Sequence, residues 1–217
     1  MTATSPTLQC AIEALSVPGI AIGHRLIVDG DELALLPDEI VAFAGSVLKV
    51  RRASGAARIV ARKLLSRFGQ AERAIPKSTA GMPVWPEGIA GSLAHDATVA
   101  VAAIASLREY MSVGIDIEPA EPLDPDLLDM VATVNERRNL QDDPCRGRVL
   151  FAVKEAVYKA VYPLDWTFLD HHDVEVSLAA GTAVVRNGRT VSFRYSVATH
   201  IVAVAFVPVP PRPGAGP

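Results

Sequence analysis

Two short segments of the chain, residues 99–104 and 202–207, are nearly identical and read VAVAAI and VAVAFV. A histidine precedes each segment (His95 and His200), and an amphipathic helical pattern lies further upstream of each. Internal similarity of this kind is typical of a fold built from related units. In a chain of 217 residues, it is compatible with two similar lobes of about 100 residues each.

The basic residues are concentrated in one window of the sequence. Residues 49–77 carry nine Lys and Arg side chains and one acid, a net charge of +8, whereas the rest of the chain carries −11. A basic patch on an otherwise acidic protein indicates an anionic ligand that is bound locally. The alternative is a solvated basic helix face, which is common in soluble proteins.

Composition excludes several classes of protein. With 50% hydrophobic and 21% charged residues, the chain is not intrinsically disordered. No apolar stretch is long enough to span a bilayer, and no basic start precedes an apolar block as in a secretory signal. Two cysteines, Cys10 and Cys145, cannot form a disulfide framework or a thiolate metal cage. We therefore expect a reduced cytoplasmic protein that does not contact membranes.

Periodicity and turn residues predict a mixed order of helices and strands. The predicted helices cover residues 37–69, with a possible break at Ser54-Gly55, and residues 127–140 and 148–161. The predicted strands cover residues 20–28, 99–104, 112–119, 173–178, 182–187 and 190–207. Residues 75–92 contain three prolines and three glycines, which predicts a functional loop.

Acidic side chains alternate with isoleucines in the predicted strand at Gly114-Ile115-Asp116-Ile117-Glu118. Because strand side chains alternate between faces, Asp116 and Glu118 should project to the same face. Neighbouring carboxylates raise each other's pKa unless a cation lies between them, and a hard divalent cation such as Mg²⁺ fits this donor set. A solvated acidic edge is the alternative interpretation.

The predicted helix at 148–161 carries a second group of charges. Glu155 and Lys159 are four residues apart and share a face, and Lys154 lies one step round the helix. In isolation this pattern also fits an ordinary surface ion pair. His95 has no second histidine at metal-binding spacing, since His171 and His172 are adjacent, so a zinc site is not expected. The sequence contains no P-loop, G-x-S-x-G or G-x-G-x-x-G motif.

Five segments together resemble the two-lobed 4′-phosphopantetheinyl transferases of the surfactin and enterobactin synthetase type. VGIDIEP at 113–119 and LFAVKEAVYKA at 150–160 resemble the signature pair of that family. KVRR at 49–52, ARIVARKLL at 57–65 and PVWPEGIAGSLAH at 83–95 resemble three further family segments, in the family's order. The resemblance covers roughly residues 35–207.

The resemblance implies a fold and a set of site residues. It implies an α+β fold of two similar α/β lobes in a pseudo-twofold arrangement, with the active site between them, and we predict lobes at 1–110 and 111–207 and a disordered tail at 208–217. The implied Mg²⁺ ligands are Asp116, Glu118 and Glu155. The residues implied to hold coenzyme A are Arg51, Arg58, Lys77, Ser92, His95, Lys154 and Lys159. Because Val50 interrupts the basic run, either Arg51 or Arg52 could hold a phosphate.

The reaction implied is transfer of the phosphopantetheine arm of coenzyme A to a serine of an apo acyl or peptidyl carrier protein. Mg²⁺ would be the cofactor, Asp116, Glu155 and Lys159 would be catalytic with Glu155 as the hypothetical base, and adenosine 3′,5′-bisphosphate would leave. A monomer could form the site between its own lobes, and no nucleic-acid partner is implied. Two alternatives are a metal-dependent nuclease or phosphohydrolase and a non-catalytic domain that binds acidic partners. Fatty-acid, polyketide, nonribosomal-peptide and siderophore carriers are not distinguished.

Overall fold

The computed structural model describes residues 5–71, 73–140 and 143–210. Within them the helices are α1 (Pro6–Ala14), α2 (Pro37–Ile40), α3 (Leu48–Leu65), α4 (Pro125–Val131), α5 (Val134–Arg138) and α6 (Arg146–Asp165). The strands are β1 (Ile20–Leu26), β2 (Ile89–His95), β3 (Val99–Ser106), β4 (Tyr110–Pro119), β5 (Val174–Ser177), β6 (Thr182–Val185), β7 (Thr190–Val197) and β8 (His200–Pro208). None of the described helices is both long and apolar enough to cross a membrane.

Two antiparallel sheets organise the chain. The first has the order β1-β3-β2 and the second has the order β4-β8-β7-β6-β5. The two similar Val/Ala segments form β3 and β8, and both strands lie inside their sheets. Their continuous apolar character follows, because strands covered on both faces do not alternate between polar and apolar residues. The α+β character that the resemblance implied is confirmed.

One long helix packs against each sheet, and the two sheets pack against each other. Helix α3 contacts β3 and β1, and α6 contacts β4 and β8. A shared apolar cluster between the sheets includes Ala94, Val101, Ile115 and Val202. This packing brings the end of β2, with His95, close to the end of β4, with Asp116 and Glu118. Because α1 contacts β7 and β8 as well as β1, the lobe boundary at residue 110 stays a prediction.

The structure differs from the predicted elements in several places. The pattern at 37–69 is interrupted after α2 by a short 3-10 helix at Val41–Phe43, and α3 begins only at Leu48. Helix α3 then continues through Gly55, because the absent side chain admits the Asp31 carbonyl; a Cβ there would lie 1.9 Å from that oxygen. The segments at 127–140 and 190–207 each divide into two elements, and β2 was not predicted as a strand. Residues 211–217 of the predicted tail lie outside the described residues.

Candidate active site

A close contact between β4 and α6 brings the two signature segments together. A Cβ at Gly114 would lie 2.0 Å from the carbonyl oxygen of Ala156, so only glycine allows the strand to approach the helix at this point. Asp116, two residues further along β4, therefore faces Lys159 of α6. The Lys159 ammonium donates to Asp116 Oδ1 at 2.6 Å and lies 3.3 Å from the carbonyl oxygen of Ile115.

Asp116 is buried, with 6% of its surface exposed. Its second oxygen, Oδ2, has no hydrogen-bond partner among the described residues. Burial raises the pKa of Asp116 to about 6, the Lys159 ammonium opposes this rise, and the negative charges of Glu155 and Glu118 add to it. A buried carboxylate with an unpartnered oxygen and two acidic neighbours creates a demand for a further cation.

The other two carboxylates of the predicted metal site each face a cationic or hydrogen-bonding group. Glu118 Oε2 accepts a hydrogen bond from Arg148 at 3.1 Å, and burial raises the pKa of Glu118 while Arg148 opposes the rise. Glu155 Oε1 lies 3.1 Å from Nε2 of His171. Because an ionised carboxylate only accepts, that ring nitrogen must carry the proton, and its hydrogen bond holds the pKa of Glu155 below the ordinary value.

The three carboxylates fit a divalent cation by their chemistry. The described residues contain no cluster of three His, Cys, Asp or Glu side chains already in metal-binding geometry. Instead, Asp116 pairs with Lys159, Glu118 pairs with Arg148, and Glu155 pairs with His171. Oxygen donors of this kind, with one buried oxygen left over on Asp116, are the ligands that Mg²⁺ prefers. The donor set therefore suits Mg²⁺.

Lys154 does not lie where the resemblance implied, and this corrects the expectation that it binds coenzyme A. Its ammonium is buried and donates to Glu136 Oε2 at 2.7 Å and to the carbonyl oxygens of Val131 and His171, both at 2.8 Å. An ammonium has three hydrogens, so all of its donors are used. Lys154 therefore stabilises the C-terminal part of the protein and has no donor left for a phosphate.

Arg58 is also mainly engaged inside the protein, where the expectation was a phosphate contact. The side chain is 3% exposed. Its Nε donates to the carbonyl oxygen of Ile75 at 2.9 Å and its Nη1 donates to that of Ser54 at 3.2 Å, and Glu39 lies 3.6 Å away. Two of its five N–H groups are used in these bonds, so its main role in this structure is to hold the loop after α3.

The remaining predicted ligand residues lie around the end of β2. Desolvation by the surrounding protein atoms lowers the pKa of His95, and the nearby charges of Lys159 and Lys77 lower it further. Part of the side chain is nevertheless exposed to solvent. Lys77 lies over the ring of Phe43, 5.0 Å from its centroid. A cavity of about 600 Å³ beside His95 is lined by Lys49 and Arg52, among other residues. Ser92 is buried on β2.

Arg51 and Arg52 differ in their partners within the protein. Arg52 forms ion pairs with Asp29 and Glu32. Arg51 is exposed, and no ion pair is formed by it among the residues that the structure describes. A guanidinium without an internal partner is the better donor for an incoming phosphate.

Sequence reasoning missed four polar residues that surround the site: Asp96, Arg148, His171 and His200. Asp96 Oδ1 accepts from the backbone of Thr98 and Val99 at 2.6 and 2.7 Å, and its Oδ2 lies 3.0 Å from His200 Nε2. This contact joins the turn after His95 to the start of β8. The position of His200 before the second Val/Ala segment was a signal for it, whereas no local pattern indicated His171.

Comparison with known proteins covers most of the chain. Residues 37–105 match the 4′-phosphopantetheinyl transferase N-terminal domain, and residues 112–205 match the 4′-phosphopantetheinyl transferase superfamily. The chain is 36% identical over 182 residues to the 4′-phosphopantetheinyl transferase Npt of Nocardia iowensis, a match that covers 82% of each chain. It is 34% identical to the transferase Svp of Streptomyces mobaraensis over 80% of this chain and 75% of that protein.

A third relative agrees with these two. The 4′-phosphopantetheinyl transferase PptT of Mycobacterium tuberculosis is 35% identical over 157 residues, which cover 70% of this chain and 69% of that protein. The first family match includes β2 and nearly all of β3 of the first sheet, and the second includes most of the second sheet together with α6. Asp116, Glu118 and Glu155 all lie within the second match. The chain therefore belongs to the 4′-phosphopantetheinyl transferase superfamily, and it is an enzyme that transfers the phosphopantetheine group to carrier proteins.

Proposed function

We propose that the enzyme binds Mg²⁺ through Asp116, Glu118 and Glu155 and transfers the phosphopantetheine arm of coenzyme A to a serine of an apo acyl or peptidyl carrier protein. The observation that carries the proposal is the buried, unpartnered Oδ2 of Asp116 between two further carboxylates. When bound, the metal supplies positive charge for the diphosphate of coenzyme A. Family membership decides against the nuclease and the non-catalytic alternatives.

The cations at the end of β2 are suited to the phosphates of coenzyme A. Arg51 and Lys77 are exposed, and His95 lies close enough to Lys77 and Lys159 for their charges to lower its pKa. Lys159 reaches Asp116 across the two elements, so it can also meet an oxygen of the transferring phosphate. Positioning and charge neutralisation supply most of the catalysis of phosphoryl transfer. The cations Arg51, Lys77 and Lys159 provide charge, and His95 can add a neutral hydrogen-bond donor.

Glu155 is the residue we assign as the general base. The serine oxygen forms a bond to the phosphorus that carries the pantetheine arm, the bond from that phosphorus to the bridging diphosphate oxygen breaks, and adenosine 3′,5′-bisphosphate leaves. Glu155 accepts the serine proton. The hydrogen bond from His171, which lowers the pKa of Glu155, keeps this carboxylate ionised at neutral pH and ready to accept.

A small cavity next to Glu155 is suited to the pantetheine arm. It measures about 200 Å³. Its walls include Tyr158, Phe168 and Leu169, and Glu155 lies at its edge. An uncharged, flexible arm of amide and methylene groups requires apolar walls with a few polar groups, which this cavity provides directly beside the base.

The decisive experiment is a mass spectrum of an apo carrier protein after incubation with the enzyme, coenzyme A and Mg²⁺. We expect a mass gain equal to one phosphopantetheine group, and a loss of that gain in EDTA. Glu155→Gln should abolish the gain while coenzyme A still binds, whereas Glu87→Gln, which changes an exposed loop carboxylate, should behave as the wild type. Near wild-type turnover in Glu155→Gln would refute the assignment of the base.

We also propose a monomer that works in the cytoplasm. One chain supplies the cations of β2 and α3 together with the carboxylates of β4 and α6, so the site needs no second copy. Cys10 and Cys145 are both free thiols, as expected in a reducing compartment. Light scattering during size-exclusion chromatography should give the mass of a single chain, and a dimer mass would refute this part.

A further inference from the structure

The segment after α6 turns back toward the helix and presents His171 to Glu155. Helix α6 is followed directly by Trp166, which caps it with a left-handed backbone conformation, φ 56°. Asp170 then begins the short 3-10 helix at His171–Asp173, and its side chain accepts from the backbone of His172 at 3.3 Å. In return, Asp173 accepts from the backbone of Asp170 at 2.9 Å. The backbone that carries His171 is thus defined by hydrogen bonds on both sides.

Two adjacent residues of α6 hold His171 from different directions. Lys154 donates to its carbonyl oxygen at 2.8 Å, and Glu155 lies 3.1 Å from its ring nitrogen Nε2. Phe151, one turn earlier in α6, lies against the ring with 5.6 Å between the centroids. Because Lys154 is itself anchored to Glu136 and Val131, the position of the histidine is fixed by the buried interior.

The result for Glu155 is a carboxylate with one oxygen occupied. Oε1 accepts from His171, and the side chain remains 30% exposed. The other oxygen is the one that remains for a ligand. A carboxylate without this partner could rotate about its last side-chain torsion, which has broad energy wells. Groups that hold a metal ligand or a base in one orientation typically change metal affinity or activity by about 10–100-fold when removed.

We propose that His171 is a positioning residue for Glu155, and that the buried Lys154–Glu136 ion pair contributes to transfer by holding the backbone of His171. The inference rests on the proposed function of Glu155. His171 contacts Glu155 and not the carboxylates of β4, so its effect on kcat and on metal affinity should pass through that side chain. It also lines the cavity proposed for the pantetheine arm, and KM for coenzyme A reports that second contact.

The test compares three substitutions in the full-length enzyme. His171→Phe keeps an aromatic ring against Phe151 and removes the donor, whereas His171→Gln places an amide donor near the position of Nε2. His172→Phe changes the exposed neighbour and is the matched control. Thermal unfolding of all four proteins shows whether each variant is folded. The measurements are kcat, KM for coenzyme A and the Kd for Mn²⁺. Mn²⁺ serves as the probe for the metal site, and its binding is monitored by electron paramagnetic resonance.

We expect His171→Phe to lower kcat by about 10–100-fold and to weaken Mn²⁺ binding by about 10-fold. His171→Gln should recover most of both losses, and His172→Phe should match the wild type. Wild-type kcat and Mn²⁺ affinity in His171→Phe would overturn the inference, as would an equally inactive His171→Gln. If the wild type itself transfers nothing to the carrier, the proposed function fails instead.

Discussion

The N-terminal and C-terminal parts of the chain each contain a buried polar network built around one glutamate. Glu39 is the third residue of α2 and Glu136 is the third residue of α5. Each accepts from the backbone nitrogen that precedes its helix, Leu36 in the first case and Thr133 in the second, both at 2.8 Å. In α5 the capping is reciprocal, because Thr133 Oγ1 also accepts from the backbone nitrogen of Glu136 at 3.2 Å, whereas the leucine before α2 has no side-chain acceptor. Capping of this kind stabilises a short helix that would be marginal by itself.

Each glutamate also reaches beyond its own helix. Glu39 accepts from the backbone nitrogen of Ile75 at 2.8 Å and Glu136 accepts from that of Val176 at 2.7 Å. A cation from a long helix also pairs with each glutamate. Arg62 of α3 lies 2.9 Å from Glu39, and Lys154 of α6 lies 2.7 Å from Glu136. The internal similarity of the two strands therefore extends to a buried polar network in each lobe.

The difference between the two networks lies in what else the cations contact. Glu39 faces two arginines, Arg58 and Arg62, and both also donate to backbone carbonyls of their own lobe. Among the described residues Glu136 pairs with one cation, Lys154, whose third hydrogen bond goes to His171 beside the candidate active site. The N-terminal network thus contacts only its own part of the chain, whereas the C-terminal one continues to His171 and through it to Glu155, the proposed base.

The largest effect should come from removing the single cation of the C-terminal network. Lys154→Met leaves Glu136 buried without a counter-ion, which typically costs about 3–5 kcal/mol of unfolding free energy. Urea denaturation measures this loss. Lys63→Met is the matched control, because Lys63 is exposed and its removal leaves no buried carboxylate unpaired, so it should cost less than about 0.5 kcal/mol. Equal stability losses in the two variants would contradict the comparison.

Asp116 is a buried carboxylate that differs from Glu39 and Glu136, because one of its two oxygens has no hydrogen-bond partner among the described residues. Its pKa is raised to about 6 by burial, above the value of about 3.9 in an unfolded chain. The folded state therefore binds more protons between these values, and the free energy of unfolding falls by about 2–3 kcal/mol as pH rises through this window. The loss is complete above about pH 7.

Asp116→Asn removes this titration. In EDTA, the variant should be more stable than the wild type at pH 8 and should lose that advantage near pH 4, as measured by urea denaturation across this range. Mg²⁺ should raise the unfolding temperature of the wild type at pH 8 and leave that of the variant unchanged. A wild type whose stability does not change between pH 4 and pH 7 would show that Asp116 is not strained by burial.

Arg58 should be easier to remove than Lys154, since Glu39 keeps its second arginine. Arg58→Met loses hydrogen bonds to Ile75 and Ser54, which we expect to cost about 1–2 kcal/mol. Arg51→Met on the same helix should leave stability within about 0.5 kcal/mol and should weaken coenzyme A binding more than Arg58→Met does. Calorimetric titration with coenzyme A measures the second quantity, and the reverse order of affinities would make Arg58 the main phosphate ligand.

Local patterns in the sequence predicted the chemistry of the site better than its partners. The two-residue alternation placed Asp116 and Glu118 on one face of a strand, and the helical spacing placed Lys159 on the same face as Glu155. Lys154 could not be assigned in this way. Its partner Glu136 belongs to a Thr-x-x-Glu capping box that starts a new helix at Val134, a local signal inside the single helix predicted at 127–140. The contact of that glutamate with Lys154 depends on the tertiary fold.

Continuity of helices also depended on distant contacts. The Ser54-Gly55 pair in α3 has the local signature of a break, yet the helix continues because the carbonyl of Asp31 packs against Gly55. His171 could not be predicted as a partner of Glu155 for the same reason. The turn at Trp166 that returns the chain to α6 has no strong local signal.

The smallest effect should come from the contact that joins the two sheets. His200 at the start of β8 lies 3.0 Å from Asp96 Oδ2 in the turn after His95. Both side chains reach solvent, with 17% and 12% of their surfaces exposed, so His200→Phe should cost less than about 1 kcal/mol. Asp96 keeps its bonds to the backbone of Thr98 and Val99, which preserves the turn itself.

The functional consequence of His200→Phe should appear in binding and not in the chemical step. The turn would lose its tie to β8, so His95 would be oriented less well toward the coenzyme A phosphates. We expect KM for coenzyme A to rise by about 2–5-fold with kcat unchanged, since a weakened uniform contact affects KM alone. Steady-state kinetics with a saturating carrier protein measures both. A fall in kcat at constant KM would mean that the contact between Asp96 and His200 also orients the carboxylates of the candidate active site.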